Sequence, residues 1–186
     1  MSLSENVSSA DNQQVTEINI SNEYFCGFTD GEGCFYVGFS KRPDLPIKWQ
    51  IITEFHLSQN PGGKIILETF RDRLGCGYLK PNHPRSNRDK SWVLIVKDRD
   101  DLRTKVIPFF MKHPLRTSKW NEFLVFKKVL ELVEARKHLT PMGFLEIANL
   151  VFNLPRTTKK RYSKEEIISD TSETIRQTPT EASGKI

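Results

Sequence analysis

The sequence predicts an α+β domain with a curved antiparallel sheet of four strands. Two stretches, Cys34 to Arg42 and Trp49 to Ser58, alternate apolar and polar residues with period two. Two shorter apolar segments, Gly77 to Lys80 and Lys90 to Lys97, follow as a second pair of strands. Helical stripes lie before, between and after the pairs, so the core order is α-β-β-α-β-β-α-α-α.

The elements follow in chain order. Asn22 to Phe28 is a short apolar helix, ended by the glycines of Asp30-Gly31-Glu32-Gly33. In the first strand Phe35, Val37 and Phe39 share one side. In the second, Ile51, Thr53, Phe55 and Leu57 do the same, and the turn at Arg42 to Lys48 holds Pro43 and Pro46. Asn60-Pro61 starts the next helix, its stripe is Ile65, Ile66, Thr69, Phe70 and Leu74, and Gly75 stops it. Asp98 or Asp100 starts a helix with Leu102, Val106, Phe109 and Phe110 inward. Trp120 to Arg136 is a longer amphipathic helix, and Thr140-Pro141 caps one that ends near Asn153. Ser163-x-x-Glu166 is a capping box for a last short helix. The body is therefore 21–168, flanked by tails at 1–20 and 169–186 that are rich in polar residues and predicted to be flexible.

Composition narrows the function classes. The chain carries 28 Lys and Arg against 23 Asp and Glu, a net charge of +5. Residues 1–22 hold three acids and no base, so the body is more basic than the whole. A basic body suits a polyanionic partner. No apolar run is long enough to cross a bilayer, and the N-terminus lacks the pattern of a secretory or transit signal. Cys26, Cys34 and Cys76 match neither a zinc spacing nor a disulfide framework, which points to a reducing compartment.

The segment Phe25-Cys26-Gly27-Phe28-Thr29-Asp30-Gly31-Glu32-Gly33 carries the chemistry. Its small residues let a second helix approach closely. An acid at a helix C-terminus faces the negative end of the helix dipole, so Glu32 is explained by a cation it can hold. The strands that follow present a polar side of one parity: Tyr36, Ser40, Arg42, Gln50, Glu54, His56, Ser58, Lys80 and Asn82. Such a face would read base edges in a groove, with Arg42 and Lys80 suited to guanine, Gln50 to adenine and Glu54 to cytosine. The loop after Lys80 adds Arg85 and Arg88.

Residues 25–33 resemble the signature of the LAGLIDADG homing endonucleases, site-specific DNases of mobile introns. Phe25-Cys26 stands for Leu-Ala and Glu32 for the final Asp. The resemblance extends over about residues 20–165, through Gly75-Cys76-Gly77-Tyr78, Pro108-Phe109-Phe110 and Leu115-Arg116-Thr117-Ser118-Lys119. It implies that Glu32, with the Gly31 carbonyl, holds the metal at the scissile phosphates. Asp30 would shape the helix end, Gln59 would position water, and Lys119 and Lys64 would be the basic residues nearby. The family's second basic position falls on Gly63, so Lys64 is its neighbour rather than its match.

A single copy of the motif is present. Cutting two strands needs two acids, so two chains would pack through Phe25, Gly27 and Phe28 about a two-fold axis. The implied activity is metal-dependent double-strand cleavage of a long pseudo-palindromic duplex that promotes intron homing. Mg²⁺ is the expected ion, with Mn²⁺ able to substitute and Ca²⁺ binding without supporting cleavage. Double-stranded DNA is the expected partner, in a bacterial cytoplasm or an organelle, with no membrane. An RNA-splicing maturase, the one reading with an RNA partner, and a non-cleaving DNA-binding regulator of the same fold are the alternatives.

Overall fold

Ser21 opens the first helix, α1 (Asn22–Glu32), its hydroxyl accepting from the Tyr24 N–H at 3.1 Å. The computed structural model describes residues 20–155 and 161–177. After α1 come β1 (Gly33–Lys41), β2 (Trp49–Gln59), α2 (Lys64–Leu74), β3 (Tyr78–Pro81) and β4 (Trp92–Val96). Arg99–Asp101 (α3), a π-helical turn at Leu102–Val106 and Ile107–Lys112 (α4) succeed one another without a break. The π-helical turn ends two residues before Pro108, which cannot donate a backbone hydrogen bond. The last elements are α5 (Lys119–Glu134), α6 (Pro141–Phe152) and α7 (Lys164–Gln177).

The sheet is fully antiparallel in the order β1-β2-β4-β3. Register pairs Phe35 with Phe55, Val37 with Thr53, and Leu57 with Leu94. These residues share one face, and Phe35, Phe55, Leu57 and Leu94 pack in one core with Phe25, Phe70, Phe110, Phe123 and Phe126 from the helices. Phe35 joins the sheet to the helices: its ring centroid lies 5.1 Å from Phe55, 5.3 Å from Phe110, 5.2 Å from Phe123 and 5.6 Å from Phe126.

The expected helix signals act as read. Asn60 Oδ1 accepts from the Gly63 N–H, Gly75 closes α2 in the left-handed conformation (φ 63°), Thr140 caps α6, and Ser163 accepts from the Glu166 N–H. Gly33 differs. Its backbone is extended (φ −78°, ψ 155°), so no left-handed freedom is needed. The reason for glycine there is space, since a Cβ would lie 2.5 Å from Thr29 Cγ2 and 2.6 Å from the Thr29 carbonyl oxygen.

The C-terminal boundary needs correction. The last helix is not short: α7 continues to Gln177, through the first half of the segment predicted as a tail. Ile167 and Thr171 are fully buried, and Lys41 binds Glu166 at 2.8 Å and Asp170 at 3.6 Å. At the other end Ile20 is buried in the core rather than belonging to a tail. Residues 1–19 and 178–186, where the rest of the predicted tails fall, lie outside the described residues. Cys26 and Cys76 are buried free thiols, each pushed up to about 11 by burial. They are poor nucleophiles at neutral pH.

Candidate nucleic-acid interface and motif site

The end of α1 brings several expected residues together. Glu32 is exposed at the last helical position and makes no hydrogen bond or ion pair among the described residues. Gly31, one residue earlier, has a carbonyl in the last turn, where the helix offers no further N–H partner. Lys119, at the start of α5, donates its Nζ to the Gly33 carbonyl and so sits against the same helix end. Asp30 explains how. Its carboxylate accepts from the Arg116 N–H (2.8 Å), the Thr117 N–H (3.3 Å) and the Thr117 hydroxyl (2.6 Å). Thr117 Oγ1 in turn accepts from the Lys119 N–H at 3.2 Å. Asp30 therefore ties the loop before α5 to the motif and carries Lys119 into place.

Gln59 ends β2. The pairing of Gly33 with Leu57 puts it at the level of the α1–β1 junction. Its Oε1 accepts from the Asn60 N–H at 2.7 Å. A Cβ at Gly63 would come within 2.2 Å of Gln59 Cγ, so a basic side chain at position 63 would displace Gln59. Lys64 stands next door instead. Its Nζ lies 4.3 Å from the centre of the Trp92 ring and 3.2 Å from Glu68. Trp92 pairs with Gln59 across the sheet, so Lys64 is held at that same end.

The polar parity of the strands faces away from the core. Tyr36 pairs with Glu54, Ser40 with Gln50, and Ser58 and Lys80 both flank Val93. Gln50, Lys80 and Arg42 are exposed, while Tyr36, Ser40, Glu54, His56, Ser58 and Asn82 are half-buried. Arg85 and Arg88 are exposed on the loop between β3 and β4. Two side chains are less free than expected. Glu54 accepts from His56 Nε2 at 2.8 Å, and His56 stacks on Tyr36 at 6.0 Å, so Glu54 is half of a hydrogen-bonded pair rather than a lone acceptor. Gln50 Oε1 accepts from Arg42 Nη1 at 3.2 Å, which occupies the acceptor that bidentate adenine reading uses.

Sequence reading missed part of this face. Val93 and Ile95 are buried, yet their partners are Ser58, His56, Lys80 and Tyr78, so they belong to the polar side. Lys97 has the same parity and lies 5.5 Å from the centre of the exposed Tyr78 ring. The alternation of 93, 95 and 97 signals this, but Val93-Leu94-Ile95-Val96 is apolar throughout and hides it.

The proposed contact helix also needs correction. Phe25 is fully buried, 3.8 Å from the Phe70 ring and 4.8 Å from Phe109, and cannot meet a second chain. Phe28 is half-buried, 5.3 Å from Phe70. The open side of α1 is Gly27 and Gly31, which have nothing within 4 Å of an added Cβ, and Tyr24, half-exposed.

With the fold and motif in view, the family model described as LAGLIDADG endonuclease matches residues 25–130, from Phe25 in α1 to Leu130 in α5. The chain belongs to the LAGLIDADG endonuclease family. Among relatives, the probable intron-encoded endonuclease 2 of Neurospora crassa is 29% identical over 146 residues, covering 75% of this chain and 31% of that protein. The chain thus spans about a third of that curated relative. Among solved structures, the homing endonuclease I-TnaI superposes with a TM-score of 0.69 at 30% identity, over 84% of this chain and 99% of that one. I-SmaMI, solved bound to its uncleaved DNA target in the presence of calcium ions, gives a TM-score of 0.71 at 26% identity, over 83% of this chain and 50% of that one. The α+β LAGLIDADG fold read from the sequence is therefore the fold of the protein. Among the described residues no helix is long and apolar enough to cross a membrane.

Proposed function

We propose that two copies of this LAGLIDADG chain form a site-specific DNA endonuclease, encoded by a mobile intron of a bacterial or organellar genome. The carrying observation is Glu32, an exposed carboxylate without a partner among the described residues, at the junction from which a polar strand face extends. A carboxylate and an unpaired helix-end carbonyl are hard oxygen donors that fit Mg²⁺. No cluster of three potential metal-binding side chains exists among the described residues. That fits an ion completed by water and substrate phosphates. When bound, such an ion activates water and neutralises charge on the scissile phosphate.

The chain's own residues do the rest. Glu32 and the Gly31 carbonyl would hold the ion. Gln59 would orient the attacking water through its amide, and Lys119 and Lys64 would supply positive charge beside the phosphate. The sheet face, with Arg85 and Arg88 at its loop, would track the duplex. I-SmaMI, matched over half of its chain by one copy of this one, supports two copies as the working unit. The test is a plasmid carrying the intron-less insertion site, incubated with and without Mg²⁺. One discrete double-strand break that depends on Mg²⁺ is expected, and binding without cutting overturns the catalytic reading.

Two further results are expected. Lys119→Ala and Gln59→Ala should slow single-turnover cleavage about a hundredfold at saturating protein, with affinity changed only a few-fold. Loss of affinity alone would make them binding residues. Gly27→Leu should yield a monomer by sedimentation while its melting temperature holds, because a Cβ added at Gly27 has open space within 4 Å. A Gly27→Leu protein that still sediments as a dimer would move the interface off α1.

A further inference from the structure

Arg42 sits at the base of the turn between β1 and β2. Its backbone is fixed by two hydrogen bonds, from its own N–H to the Lys48 carbonyl (2.8 Å) and from the Leu45 N–H to its carbonyl (3.0 Å). Pro43 further restricts it to extended conformations. The guanidinium is fixed as well. Nε donates to Asp44 Oδ1 at 2.8 Å and Nη2 to Asp44 Oδ2 at 2.7 Å, a bidentate fork. Nη1 donates to Gln50 Oε1 at 3.2 Å. Arginine has five N–H donors, so one hydrogen remains on each terminal nitrogen, together with the amide donors of Gln50.

An acid on a DNA-facing turn works against binding through its charge. Asp44 has a compensating role. We infer that Asp44 is a positioning residue which orients Arg42 to read guanine, so that the guanidinium, held by Asp44 and Gln50, presents its remaining donors at the end of the sheet. Guanine presents two acceptors, O6 and N7, in the major groove, which the two remaining guanidinium hydrogens match. Adenine presents one acceptor and one donor there, and the guanidinium has no acceptor to offer that donor. Pre-fixing the long arginine side chain also lowers the entropy lost on contact. The Arg42 hydrogen bonds hold the Asp44 carboxyl below its usual range, so the fork stays charged at neutral pH.

This inference rests on the DNA-reading assignment above, and one experiment separates the two. The full-length wild type is first used to select bound duplexes from a random-sequence library. Binding profiles over every single-base change of the selected site are then compared for wild type, Arg42→Lys, Asp44→Ala and Asp44→Asn. Arg42→Lys and Asp44→Ala should each reduce guanine preference about tenfold at the same symmetric pair of positions, leaving the others unchanged. Asp44→Asn, which keeps the shape but loses the charge and one acceptor, should fall between Asp44→Ala and wild type. Asp44 variants that shift all sequences alike, or leave preference intact where Arg42→Lys changes it, overturn the positioning role. A wild type that selects no preferred duplex overturns the DNA-reading assignment itself.

Discussion

Glu32→Gln is expected to abolish cleavage, by at least about a thousandfold in single-turnover rate, while specific DNA binding survives. The amide keeps the shape of the carboxylate but is a far weaker ligand for a hard divalent ion. Binding measured without Mg²⁺ should tighten slightly, because a negative charge near the phosphates is removed. Stability should move the other way from an ordinary site mutation. Glu32 faces the negative end of the α1 dipole without a basic partner among the described residues, so its neutralisation should add about 0.3–1 kcal/mol. Urea unfolding checks this on the same protein. Cutting at the wild-type rate would remove Glu32 from the metal site.

The largest expected loss of stability is at Phe35, two residues beyond the motif. Phe35→Ala should destabilise by about 3–5 kcal/mol, a large part of the roughly 5–15 kcal/mol that holds a domain together. The ring has no exposed surface and touches one aromatic ring of β2, one of α4 and two of α5. Neighbours drawn from three separate elements cannot all move in to fill the cavity, which is why the upper range applies. The urea midpoint should fall with little change in slope. A loss below about 1.5 kcal/mol would mean that the aromatic cluster repacks around the gap. Activity at physiological temperature should disappear with the fold in this variant. In Glu32→Gln it should disappear with the fold intact.

The sequence by itself determined the order of the core elements, the core side of β1 and β2, and the capped starts of the helices. These are local properties: a period of two places Phe35 and Val37 on one side, and a capping side chain reaches only two or three residues. It also located the motif and Glu32, because a carboxylate at a helix end is a local anomaly. Tertiary structure alone decided the rest. Gly27 and Phe25 lie two residues apart on an apolar helix, and only the packing of Phe70 and Phe109 shows that Phe25 turns inward. The polar parity of β4 is hidden by four consecutive apolar residues and appears only through register with Ser58 and His56. α7 continues past residue 168 because Thr171 is buried and Asp170 reaches Lys41, the latter an ion pair across more than a hundred residues of chain. Asp30 reaches Arg116 and Thr117 over a similarly long separation. A hydrogen bond between such distant residues leaves no periodicity in the sequence, because its partners are chosen by the packing of α5 against the sheet.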